Sequence, residues 1–95
     1  MKEDIKYAAA IKYDKDKDRA PRVVASGKGD VAQRIVEKAK QYGVPLYQDD
    51  VLAELLTKLP INSEIPPELY EAAAEVLLFV YSLEQRQKTG ERAEQ

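Results

Sequence analysis

The chain has 95 residues, 44% hydrophobic and 34% charged, the composition of one soluble globular domain with a modest core. Its formal net charge of −2 argues against nucleic acid, whose phosphates call for a concentrated basic patch. With no cysteine and no histidine, it lacks disulfides, thiolate metal sites and the commonest general base, so the composition points away from catalysis.

The N-terminal MKEDIKYAAAIKYD has no apolar run of the kind a signal peptide carries. Residues 7–13 read as a strand with Tyr7, Ile11 and Tyr13 as its larger side chains. The charged stretch 14–18 then reads as a hairpin loop, and the β-branched stretch 22–25, bounded by Pro21 and Gly27, as a second, antiparallel strand. Alternating Asp14, Asp16 and Asp18 suggest calcium, but the required Gly and Glu positions of that loop hold Arg19 and Ala25. The run Ser26-Gly27-Lys28-Gly29-Asp30 resembles a phosphate cradle only faintly, because Gly29 stands where a metal-binding hydroxyl belongs. Both segments are read as a solvated loop and a strand-to-helix turn, with no metal and no cofactor.

Residues 30–42 form the clearest amphipathic helix, with Val31, Ile35 and Ala39 in line and Ala32 and Val36 beside them. Asp30 and Gln33 suit a capping box, and Gly43 suits the left-handed position beyond the helix end. Residues 44–47 read as a short third strand, placed parallel to an earlier one by a right-handed crossover. Asp49 or Asp50 is positioned to cap a second helix carrying Val51, Leu52, Leu55, Leu56 and Leu59, stopped by Pro60. Pro66 and Pro67 pre-set a third helix whose stripe runs Leu69, Ala73, Val76, Leu77 and Val80, widened by Tyr70, Phe79 and Tyr81. Its apolar run at residues 76–81 is far short of the roughly 20 residues that cross a bilayer. The domain is placed at residues 1–84, with a polar tail at 85–95 that frays into solvent. The order β-β-α-β-α-α gives an α/β fold, a small mixed sheet of about three strands surrounded by three or four helices. Glu71 and Glu75, four residues apart on the third helix, read as a solvated face and not as a catalytic pair.

The pieces AIKYD at 10–14, APRVVASGKG at 20–29, YGVPLY at 42–47 and EIPPELYEAAAEVL at 64–77, in this order and spacing, resemble the C-terminal cytoplasmic domain of the FlhB/YscU family of flagellar and type III secretion export proteins. The resemblance spans roughly residues 7–83. It implies a small sheet ringed by helices, below an export gate, that receives export substrates and sets their class. The family carries a self-cleaving Asn-Pro-Thr-His site and a fourth strand before it. The aligned positions here hold Glu3, Asp4, Ile5 and Lys6, so no self-cleavage and no enzyme activity are expected. The sheet is expected to be one strand short, leaving an edge open to a homodimer or a partner segment. Asp50-Val51-Leu52-Ala53-Glu54 replaces the family's double proline and Leu-Ala-Arg, which reverses charge at Glu54. By resemblance, Ala20, Pro21, Ala74 and Leu77 form a shallow substrate-binding patch for a short apolar export motif. The resulting expectation is a cytoplasmic accessory or adaptor module, peripheral to the membrane export gate and not inserted in the membrane, whose partners are export-apparatus components and export substrates. The alternative is a regulatory interaction module that reuses the fold outside flagellar export.

Overall fold

Alanines at 8, 9 and 10 let helices approach both faces of a narrow hairpin, and the strands β1 (Tyr7–Lys12) and β2 (Arg22–Lys28) pair antiparallel on that basis. The computed structural model describes the backbone of residues 5–94 and the side chains of residues 5–86; Glu3 and Asp4 lie outside it. Ala8 opposes Gly27 and Ala10 opposes Ala25, but Ile11 opposes Val23, so Val24 is an extra residue on β2. This bulge switches faces within one strand. Gly27 faces Val31 of helix α1 (Asp30–Gln41), whereas Val23, fully buried, faces the main core with Ile11.

That core unites Val23 with Leu52 and Leu56 of α2 (Asp50–Thr57), with Ile65, and with Ala73 of α3 (Tyr70–Glu94). Helix α1 covers the other sheet face with its buried Ala32, flanked by half-buried Ile35, Val36 and Ala39. Val31, expected on that stripe, lies at its margin and is 49% exposed. The helix starts at Gly29 (φ 60°), with no side-chain cap, so Asp30 is the first helical residue and the Asp30–Gln33 capping box does not form. Glycine takes that left-handed φ at little cost. At the other end Val44 N–H donates to Ala39 C=O (2.8 Å) and Gly43 N–H to Lys40 C=O (3.3 Å), the paired bonds of a Schellman stop. Asp49 caps α2 by accepting the Leu52 N–H at 3.0 Å, and a short 3₁₀ turn, Pro67–Leu69, leads into α3.

The expected third strand is absent among the described residues: 44–47 is irregular, and the sheet has two strands. The physical reason is donor supply. Val44 spends its N–H on closing α1 and Pro45 has none, so the first half of the segment has no donor to give a ladder. Tyr47 instead meets Phe79 of α3 edge to face, ring centroids 5.3 Å apart. The α/β architecture stands, with α1 on one side of the hairpin and α2 and α3 on the other. Helical backbone also continues through Glu94, past Gln85 where the polar composition begins. Among the described residues, no helix is long and apolar enough to cross a membrane.

The loop between the strands is closed on itself. Asp14 C=O accepts from Lys17 N–H (3.0 Å) and Asp18 N–H (2.7 Å), Asp14 N–H donates to Asp18 Oδ2 (3.0 Å), and Arg22 Nε donates to Asp18 Oδ1 (3.4 Å). The Asp14 N–H, aided by the Arg22 guanidinium, holds the Asp18 carboxyl below its ordinary value of 3.8. A lowered folded-state value adds stability above pH 3.8 that is lost as the pH falls through it. Asp18→Asn should therefore melt earlier than the parent at neutral pH, with the gap in melting temperature closing below pH 3.8; a pH-independent gap would refute the assignment.

Candidate functional surface

The stretch that leads into β2 is held by a clip from the connection between α2 and α3. Val23 N–H donates to Ser63 C=O (3.1 Å), Asn62 N–H donates to Val23 C=O (2.6 Å), and Ile65 N–H donates to Pro21 C=O (2.8 Å). Arg22 fastens the clip from outside, donating from Nη1 to the Asn62 carbonyl at 2.9 Å. Asn62 takes φ 72°, a left-handed turn that asparagine tolerates better than most residues. The clip drives Ile65 into the core (1% exposed) beside Ala73 (1% exposed). In this way Pro21 and the first turns of α3 converge on one buried side chain, although they stand some 50 residues apart.

The four residues expected to form a patch do not share one environment. Ala20 is buried at 2% exposure and Pro21 half-buried, while Ala74 is exposed and Leu77 half-buried. Ala20 therefore lies below the surface. On α3 the core-facing residue is Ala73, which leaves Ala74 free at the surface. The rim is charged: Arg19 Nη2 stands 3.7 Å from Glu64 Oε2, an exposed pair worth little to stability. The sequence reading missed Ile65, because an isoleucine in a polar connector gives no periodic signal. It also missed the exposure of Leu78 (64%) and Tyr81 (58%), which a broad apolar helix cannot reveal by spacing alone.

Two shallow clefts of about 390 and 380 Å³ flank Tyr7 and share Glu54. Lys28 and Lys58 line the first, and Lys6, Asp50 and Val51 the second. Lys28, singled out by its glycine neighbours, thus faces a cleft that contains a carboxylate, a poor setting for phosphate. Among the described residues no group of histidine, cysteine, aspartate and glutamate is arranged to hold a metal ion. Ile5 is half-buried and Lys6 exposed, with the Lys6 carbonyl accepting the Gly29 N–H at 2.9 Å; Glu3 and Asp4 lie outside the described residues.

Residues 4–80 match the model of the FlhB HrpN YscU SpaS family. The uncharacterized protein YlqH of Bacillus subtilis (strain 168) is 47% identical over 90 residues, covering 93% of this chain and 97% of YlqH. The flagellar biosynthetic protein FlhB of Aquifex aeolicus (strain VF5) is 45% identical over 74 residues, covering 77% of this chain and 21% of that protein. The chain thus spans about a fifth of the FlhB relatives it matches. The crystal structure of the cytoplasmic domain of FlhB from Shewanella putrefaciens superposes with a TM-score of 0.81 at 38% identity, covering 88% of this chain and 66% of that one.

The burial contrast between Ala20 and Ala74 has a direct consequence. Ala20→Asp puts an unpaired carboxylate in the core and should cost about 3 kcal/mol, whereas Ala74→Asp at the surface should stay within about 0.5 kcal/mol of the parent. Urea denaturation of both variants measures the difference, and similar midpoints would show that the two positions are not so divided.

Proposed function

Because the chain belongs to the FlhB HrpN YscU SpaS family, we propose that it serves as a non-catalytic adaptor of a flagellar or type III export apparatus, receiving export substrates at the Pro21–Ala74–Leu77 surface. The observation that carries this reading is the family match across residues 4–80 together with the superposition on the FlhB cytoplasmic domain. Half-buried Pro21 and Leu77 beside exposed Ala74 offer a shallow apolar surface without strong donors, suited to a short apolar segment. The position of this module is the cytoplasmic side of the export gate, peripheral to the membrane.

Ala74→Glu and Leu77→Glu should each weaken pull-down of flagellar export substrates about tenfold, while the melting temperature of Ala74→Glu stays at that of the parent. Undiminished capture by both variants would remove the patch from this role.

The adaptor reading also excludes self-cleavage. Cyclisation of an asparagine ahead of a proline is the step that cuts the family's chains, and Glu3-Asp4-Ile5-Lys6 supplies neither residue. Prolonged incubation at neutral pH should leave a single species of full mass by mass spectrometry; a fragment cut within residues 3–6 would contradict it.

A further inference from the structure

Helix α3 carries two apolar faces. Ala72, Ala73 and Val76 pack on the core, with Leu69 of the preceding 3₁₀ turn beside them. Tyr70, Ala74, Leu78 and Tyr81 follow the same i, i+4 and i+3 spacing about a third of a turn away, and all four are exposed. A single stripe would have sufficed to seat the helix. Twenty-five residues give it a length of roughly 37 Å, and the core-packed residues lie in its first two turns. The second stripe starts beside the core-packed turns at Tyr70 and Ala74 and runs on past them to Leu78 and Tyr81, which are 64% and 58% exposed.

Charge identifies what that stripe accommodates. From Leu59 to Gln85 the sequence holds Glu64, Glu68, Glu71, Glu75 and Glu84, and neither lysine nor arginine. Glu64 is engaged by Arg19, but Glu71 and Glu84 border the apolar stripe on its two sides. A second copy of this chain packed on the stripe would set these carboxylates against one another. An anionic bilayer would repel them as well. We propose that the outer face of α3 docks an amphipathic helix of a partner protein, with an apolar face flanked by lysine or arginine. Tyr70, Ala74, Leu78 and Tyr81 supply a ridge for helix-on-helix packing, and Glu71 and Glu84 set the partner's charge. This stripe shares Ala74 with the Pro21–Ala74–Leu77 surface and extends it along the same helix through Leu78 and Tyr81, and its charge argument does not depend on the export reading.

The test uses a synthetic peptide of roughly 18 residues, leucine on one face and lysine on both flanks, and a second peptide with every lysine replaced by glutamate. Fluorescence anisotropy with the full chain should show binding of the lysine peptide only, weakening as salt is raised. Leu78→Ser/Tyr81→Ser and Glu71→Lys/Glu84→Lys should each reduce that binding at least about tenfold. Their unchanged far-ultraviolet circular dichroism would show that α3 persists. Equal binding of the glutamate peptide, or full binding by the Leu78→Ser/Tyr81→Ser variant, would overturn the proposal. So would a parent chain that sediments as a dimer and becomes monomeric in that variant, since the occupant would then be a second copy. Substrate pull-down by Leu78→Ser/Tyr81→Ser should remain intact, which separates the part of the stripe at Leu78 and Tyr81 from the patch at Ala74 and Leu77.

Discussion

One extra residue in β2 determines how the layers of this protein meet. Were Val24 an ordinary strand residue and not a bulge between the pairs Ile11–Val23 and Ala10–Ala25, the period of two along a strand would put Val23 on the same face as Ala25 and Gly27. Val23 would then point at α1, and the core formed by α2, Ile65 and α3 would lose its central side chain. The bulge frees the strand to serve both helical layers at once. The backbone clip from Asn62 to Ile65 stabilises the arrangement from the far edge, giving Val23 N–H and C=O partners where β2 has no third strand. Side-chain burial and backbone satisfaction are thus met by the same residue, which explains why Val23 is wholly sequestered in so small a domain.

The division of surfaces follows from that geometry. Ile65, bonded through its N–H to the Pro21 carbonyl and packed in the core with Ala73, ties the start of β2 to the start of α3. Farther along α3 the core contacts end while apolar residues continue. Burial of Ala20 removes from the surface a residue type that reads as a contact, a distinction of depth that residue identity cannot convey.

Much of the architecture was legible because local chemistry and the final fold agree. The hairpin is announced by Pro21 and the charged 14–18 stretch, α1 by its apolar spacing and Gly43, and α2 by Asp49 and Pro60. The third strand failed at residues 44–47 because β-branched and aromatic residues register strand propensity, whereas strand formation depends on a neighbour with free backbone groups. The Asp30 cap failed for a related reason: Gly29, bonded back to the Lys6 carbonyl, already takes the position before the helix. The depth of each expected patch residue was not legible in the sequence: Ala20 is buried, Pro21 and Leu77 half-buried and Ala74 exposed. Ala73 and Ala74 are adjacent and chemically identical, and only the rotation of α3 about its axis makes one core and the other surface.

The close approach of β2 and α1 ties two positions into one unit of variation. A Cβ on Gly27 would collide with Cγ1 of Val31 and come within 2.8 Å of its Cβ. Shortening Val31 to alanine leaves that Cβ in place, so only glycine at 31 would make the room. A glycine in the first turn of α1 costs up to about 1 kcal/mol relative to alanine, more than at the last residues of an edge strand. The missing side chain is therefore kept on the strand. Sequences that drift from this one cannot exchange positions 27 and 31 through any single substitution, because each intermediate either clashes or carries two glycines. The contact makes the identities at 27 and 31 interdependent, with glycine at 27 letting the valine at 31 lie against the strand.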